Sequence, residues 1–158
     1  MLAERLAAGH PPARAGTMRA LLTGASRDVR RVNDSLARFL WDRQIAPDRL
    51  HDVQLVLEEL VTNVIRHGGR DAVRPRIAVE ADIVGDEVRL SVEDDCRPFD
   101  PTAVPDLPLA ATIEDRRSGG HGLRIVRRLV SRLTYTRLPQ GNRTEAFIPL
   151  DAAPELED

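Results

Sequence analysis

Hydrophobic and polar positions along this chain follow two periods, and the switches between them divide it into elements. An apolar run from Met18 to Thr23 predicts a first strand. Val29, Val32, Leu36, Phe39 and Leu40 then recur at the spacing of a helix with one buried face, with Ser26 as its predicted N-cap. Pro47-Asp48 opens a second helix, whose stripe is Leu50, Val53, Leu57, Leu60, Val61 and Val64 and whose stop is Gly68-Gly69. The period next drops to two. Ile77, Val79, Ala81 and Ile83 alternate, as do Val88, Leu90 and Val92, and Gly85-Asp86 between them predicts a hairpin. A third helix is predicted from Gly122, burying Leu123, Val126, Val130 and Leu133, and two last strands flank the turn Gln140-Gly141-Asn142.

The order β-α-α-β-β-loop-α-β-β predicts an α+β fold, a two-layer sandwich in which a mixed, mainly antiparallel sheet is covered on one face by helices. Residues 1–16, which end in His10-Pro11-Pro12-Ala13-Arg14-Ala15-Gly16, read as a flexible leader, residues 17–150 as one domain, and residues 151–158 as an acidic tail. Residues 95–121 have no period and carry Pro98, Pro101, Pro105, Pro108 and Gly119-Gly120. So long an irregular stretch inside a domain is either functional or disordered.

Composition narrows the chemistry. The 158 residues are 42% hydrophobic, enough for one core, and 23 basic against 25 acidic residues leave a net charge of −2. That balance argues against a nucleic-acid binder held by bulk charge. Every basic residue is arginine. The lack of lysine excludes the phosphate-binding P-loop, a Schiff-base nucleophile and the strand lysine of eukaryotic-type kinases. Phe39, Trp41, Phe99, Tyr135 and Phe147 are too scattered for a base-stacking platform, and the histidines and Cys96 give no zinc-ligand spacing. A single cysteine, an N-terminus without a signal-peptide core and the lack of an 18-residue apolar run predict a soluble cytoplasmic protein with no membrane partner.

Three segments carry candidate chemistry. Glu59 and Asn63, four apart on the second helix, share a face beside the apolar stripe, whereas Glu58 lines up with Thr62. A carboxylate can take a hydroxyl proton and a carboxamide oxygen can ligate Mg²⁺, although such a pair is also an ordinary solvated face. Asp94-Asp95-Cys96-Arg97-Pro98-Phe99 places a carboxylate where a strand opens into a loop, able to accept from a ligand amine or simply to form a turn. Ser118-Gly119-Gly120-His121-Gly122-Leu123 enters a helix, where glycines and free N–H groups suit phosphate, though a glycine cluster alone is more often a loop.

Taken together and in this order, the three segments resemble the N, G1 and G2 boxes of the GHKL ATPases, whose ATP-binding unit is the Bergerat fold. Within that superfamily the chain is most similar to the small bacterial anti-sigma factor serine/threonine kinases, and the closing Gly141-Asn142-Arg143-Thr144 also looks like theirs. The resemblance implies ATP and Mg²⁺ as cofactors. It assigns Glu59 to preparing the attacking hydroxyl, Asn63 to the metal and Asp94 to the adenine amino group. Gly119, Gly120 and Gly122 fall to the phosphates, with His121 and Leu123 in the same box, Phe99 in the G1 box and Thr144 supporting adenine. Arg116 or Arg117 in the lid would supply positive charge. His67 stands where these kinases often carry His-Gly, and equally reads as a helix-end residue.

The implied partners are a STAS-domain anti-sigma factor antagonist as substrate, a sigma factor, and a second copy in a homodimer, with no direct nucleic-acid contact. Cys96 departs from the pattern, because a glycine normally stands there. In a left-handed conformation its side chain would cost about 1–2 kcal/mol and weaken nucleotide binding, unless the loop takes another route. Three other readings stay open: a sequestering module that transfers nothing, the ATP-binding half of a histidine kinase, and a nucleic-acid surface on Arg124, Arg127, Arg128 and Arg132 of the third helix. The second lacks a suitable upstream histidine, since His10 lies among prolines, and the arginines of the third read as solvated or partner-facing.

Overall fold

A computed structural model describes residues 16–68, 74–106 and 120–151. In chain order these form β1 (Met18–Leu22), α1 (Ser26–Trp41), α2 (Pro47–Gly68), β2 (Ile77–Val84), β3 (Glu87–Asp94), α3 (Gly120–Leu129), β4 (Arg132–Leu138) and β5 (Gly141–Pro149). The five strands make one sheet in the order β1-β2-β3-β5-β4. The predicted two-layer α+β sandwich is therefore present. The leader and tail lie outside the described residues except at Gly16 and Asp151.

The sheet is not mixed: all four of its pairings are antiparallel. The two helices between β1 and β2 make three reversals of chain direction, so β2 returns antiparallel to β1. One helix and one strand between β3 and β5 do the same.

Alternation sets the two faces. Ile77, Val79, Ala81, Val88, Leu90, Val92, Ala146 and Ile148 point to one side and are buried against Val32, Leu36, Leu40, Val53, Val56, Leu57, Leu60 and Val61 of the helices. No helix among the described residues covers the other side, yet Glu80, Asp82 and Glu93 are each at most 7% exposed there. Cross-strand arginines account for this. Arg89 Nε donates to Asp82 Oδ1 at 2.8 Å and Nη1 to Glu145 Oε1 at 2.8 Å, while Arg143 pairs with Glu93 and Arg19 with Glu80. Long guanidinium stems lie over the acids opposite them and shield the outer face.

Several predicted boundaries move. Ala25, not Ser26, takes the N-cap of α1 and makes no side-chain cap bond. The turn is held instead by Asp28, whose Oδ2 accepts from Thr23 N at 3.1 Å and Thr23 Oγ1 at 2.8 Å. Helix α3 starts at Gly120 rather than Gly122 and stops at Leu129, so Leu133 and Arg132 belong to β4. The stop is enforced by the sheet, because Ser131 N donates to Phe147 O at 2.8 Å. Gly141 and Asn142 lie in β5, and the turn before them is Pro139-Gln140.

Central β3 ends at Asp94, opposite Asn142 at the start of β5. Gly141 approaches so closely that a Cβ there would overlap the Asp94 carbonyl oxygen. Backbone cannot yield as a side-chain tip does. Gly141→Ala is therefore expected to lower the unfolding free energy by about 1–3 kcal/mol in urea titration. Gly85→Asn serves as the control: Gly85 has φ +63° with open space around its Cβ position, which Asn tolerates, so its change stays below about 1 kcal/mol.

Candidate functional site

Helix α2 is 22 residues long, and its last two turns run past the ends of β3 and β5 toward Gly68. The helical repeat puts Leu60, Asn63 and Val64 on the side facing those strand ends. With Gly68, Val92, Asp94, Cys96, Arg97, Phe99, Pro101, Asn142 and Thr144 they line a cleft. Four residues predicted for a nucleotide site, Asn63, Asp94, Phe99 and Thr144, meet here from three separate stretches: α2, β3 with the loop after it, and β5. Thr144 lies opposite Val92 in the β3–β5 register and is 9% exposed.

Asp94 is the buried charge of the cleft, at 6% exposure. Its Oδ1 accepts from Asn142 Nδ2 at 2.8 Å and from Cys96 N at 2.9 Å. Burial raises its pKa above the usual aspartate value, and those bonds oppose the rise. Among the described residues no ion pair balances this carboxylate, which suits it to a ligand that donates hydrogen bonds.

The loop after β3 is pinned at three points. Arg97 Nε donates to His67 O at 2.9 Å, capping the end of α2, and Phe99 stacks on the His67 ring with centroids 4.5 Å apart and planes 10° off parallel. His67 is thus tied to the G1 segment, and burial followed by Arg66 and Arg97 lowers its pKa. Farther on, Arg127 of α3 donates to Pro101 O at 3.2 Å and also bonds Val104 O and Asp106. Arg127 is therefore a loop anchor and not a solvated or partner-facing residue. Arg132 lies over the Phe147 ring, 3.8 Å from its centroid.

Glu59 is half-buried one turn before Asn63, and its carboxylate lies directly against Gly122 of α3, where a Cβ would overlap it. The acid predicted from the N box and the glycine predicted from the G2 box are therefore neighbours in space. His121 is exposed, Leu123 is buried at 1%, and Gly120 begins the helix. Arg116, Arg117 and Gly119 lie outside the described residues.

Asn63 is 3% exposed, and its Nδ2 has no hydrogen-bond partner among the described residues. A half-turn of the carboxamide exchanges its nitrogen and oxygen, so this unpartnered position can offer an oxygen to a hard cation. Among the described residues no cluster of three His, Cys, Asp or Glu could hold a metal unaided. The donor set fits Mg²⁺ held by one protein oxygen together with phosphate and water oxygens.

Cys96 does not adopt the strained conformation anticipated for it. Among the described residues only Gln44 combines a side chain with positive φ, at 58°. The side chain of Cys96 instead fills the space over Gly68, where an added Cβ would lie 2.5 Å from Sγ. Periodicity alone missed Asn142, Tyr135 and Arg137. Tyr135 Oη donates to Asn142 Oδ1 at 2.6 Å, and Arg137 Nη1 donates to the same oxygen at 3.1 Å and to Cys96 O at 2.9 Å.

A cleft with a buried aspartate, a helix-borne Glu–Asn pair and a glycine-led helix beside them offers the acceptors and backbone donors that a nucleotide would need. Residues 22–147 match the histidine kinase-like ATPase domain, and the chain belongs to that family. It is 31% identical over 83 residues to the serine/threonine-protein kinase BtrW of Bordetella bronchiseptica, a match covering 52% of this chain and 58% of that protein. The chain thus spans little more than half the length of this curated relative. The resemblance to the GHKL ATPases and their serine/threonine kinases is borne out by these matches.

Two solved structures share the fold. One is the SiaB–SiaC complex from Pseudomonas aeruginosa (TM-score 0.61, 19% identity, 93% of this chain and 95% of that one). The other holds the RsbU and RsbW domains of Rv1364c from Mycobacterium tuberculosis (TM-score 0.60, 21% identity, 84% and 32%). No helix among the described residues is long and apolar enough to cross a membrane.

Burial, then the charge and hydrogen bond of Asp94, push the Cys96 thiol up to about 12. At pH 8 the native protein should therefore react with iodoacetamide about 10³-fold more slowly than the urea-unfolded chain. Equal rates would show that the thiol is not held in this environment.

Proposed function

We propose that this chain is an ATP-dependent protein serine/threonine kinase of the anti-sigma factor type. In this reading its substrate is a serine or threonine of a STAS-domain anti-sigma factor antagonist, its second partner is a sigma factor, and it works in the cytoplasm as a homodimer. The observation that carries the proposal is one cleft holding buried Asp94 and buried Asn63, with Glu59 one helical turn from Asn63 and against Gly122. The relationship to BtrW, a protein named a serine/threonine kinase, supports the choice of acceptor.

The roles follow from chemistry. Asp94 accepts from the adenine amino group, while Val92, Thr144 and Leu60 line the purine's surroundings. Asn63 would hold Mg²⁺, which when bound neutralises charge on the β- and γ-phosphate oxygens. The N–H groups at the start of α3 face the phosphates, with Gly119, Gly120 and Gly122 permitting close approach and Arg116 or Arg117 adding charge. Glu59 orients the acceptor hydroxyl and takes its proton as the oxygen bonds the γ-phosphorus. The bond to the β–γ bridging oxygen then breaks and ADP departs.

A sequestering module without transfer is the competing reading, favoured by Cys96 in the cleft wall where the family carries glycine. Incubation with γ-labelled ATP and a STAS-domain partner separates the two. Transfer to a serine or threonine is expected, and Glu59→Gln should lower its rate about 10²–10⁴-fold while ATP affinity changes less than about threefold. Stable complex formation with no label on the partner would favour sequestration.

A further inference from the structure

Buried at the start of β5, Asn142 is 2% exposed and has every polar atom occupied. Its Nδ2 donates to Asp94 Oδ1 at 2.8 Å and to Arg97 O at 3.0 Å, while its Oδ1 accepts from Tyr135 Oη at 2.6 Å and Arg137 Nη1 at 3.1 Å. This carboxamide cannot turn over. Arginine has only donors, so the oxygen must face Arg137, and a backbone carbonyl has only lone pairs, so the nitrogen must face Arg97.

We infer that Asn142, locked by Tyr135 and Arg137, is a positioning residue that keeps Asp94 an acceptor-only reader of the purine's six-position, and thereby sets the preference for adenine over 6-oxo purines. The inference rests on the ATP-binding reading above. At that edge adenine presents an amino donor, whereas a 6-oxo purine presents an acceptor. An ionised Asp94 pairs with the first and opposes the second. A protonated Asp94 can donate to the second, so discrimination depends on the aspartate being charged.

Asn142 Nδ2 and Cys96 N donate to Asp94 Oδ1, and with the Cys96 thiol they hold the charge against burial. The other charged or titratable groups around the pair are Asp95, Cys96 and Arg97 on the loop, Tyr135 and Arg137 on β4, and His67 at the end of α2. Asp95 is directed elsewhere, its Oδ1 accepting from Arg76 N at 2.9 Å. Arg97 and Arg137 reach the carbonyls of His67 and Cys96. Among these groups, Asn142 is the side chain whose N–H donates to the carboxylate.

The test measures Mg²⁺-dependent binding of fluorescent ATP and ITP analogues by the full chain across pH, together with the Asp94 titration in the nucleotide-free protein by carboxyl ¹³C NMR. Asn142→Ala should weaken ATP binding about 10-fold, narrow the ATP:ITP ratio about 10-fold, and raise both the Asp94 pKa and the pH below which ATP binding falls. Tyr135→Phe, which leaves Arg137 in place, should move all of these the same way by a smaller factor, and it carries the test should Asn142→Ala not fold. Equal weakening of both nucleotides with an unmoved Asp94 titration would reduce Asn142 to a structural role and overturn the inference. If the unsubstituted protein binds ATP normally and neither variant alters the ratio, this inference alone fails. If the unsubstituted protein binds no ATP, the kinase reading fails and the nucleotide preference with it.

Discussion

A negative charge buried at the open end of the middle strand is the constraint on which the site depends. Asp94 gains position from being the last residue of β3, with β2 on one side and β5 on the other. Solvation lost at that point must be replaced, and the replacement shapes its surroundings. Asn142 enters from β5 to donate, the chain turns so that Cys96 N donates, and Gly141 must be glycine because the two backbones nearly touch. The same burial that makes the aspartate costly makes it useful, since a carboxylate away from water discriminates more strongly among ligand groups.

The rest of the cleft is held by bonds that tie the irregular segment to regular elements on three sides. Arg97 closes it onto the end of α2, Arg137 onto β4 and Arg127 onto α3. Each of these arginines meets at least one backbone carbonyl, so the fixed part of the loop extends from Cys96 to Asp106. Cys96 fits this scheme through Gly68, whose missing side chain leaves room for the sulfur. The outer sheet face is closed separately by its arginine–carboxylate ladder, which leaves the helix-covered face and its strand ends to carry the chemistry.

Much of this was legible in the chain before any coordinates. The apolar period placed both long helices and the hairpin within a residue or two, because each contributes a continuous stripe to one core. The Glu59–Asn63 pair and Asp94 were identifiable because local spacing and strand-end position mark them, whereas Thr144 came only from the resemblance to a known family. What could not be read were contacts between distant segments. Nothing local distinguishes Asn142 from any turn asparagine, or shows that Tyr135 and Arg137 aim at it across β4 and β5. Arg127 looked like a surface residue because its carbonyl partners lie more than twenty positions upstream. The end of α3 was misplaced for a similar reason: apolar spacing continues through Val130 and Leu133, but pairing of Ser131 with Phe147 takes the chain into the sheet. At Cys96 the expected strain assumed the left-handed backbone of the usual glycine, whereas the chain keeps an ordinary φ.

The central claim is that an adenine nucleotide occupies the cleft between the end of α2 and the ends of β3 and β5. Backbone amide mapping by two-dimensional ¹H–¹⁵N NMR during titration with Mg²⁺·ATP tests it most directly. The account predicts the largest shifts at Asn63, Val92, Asp94, Phe99, Gly122 and Thr144, with the outer-face residues Arg89 and Glu145 nearly still. Shifts centred on that outer face, or none at millimolar nucleotide, would contradict it.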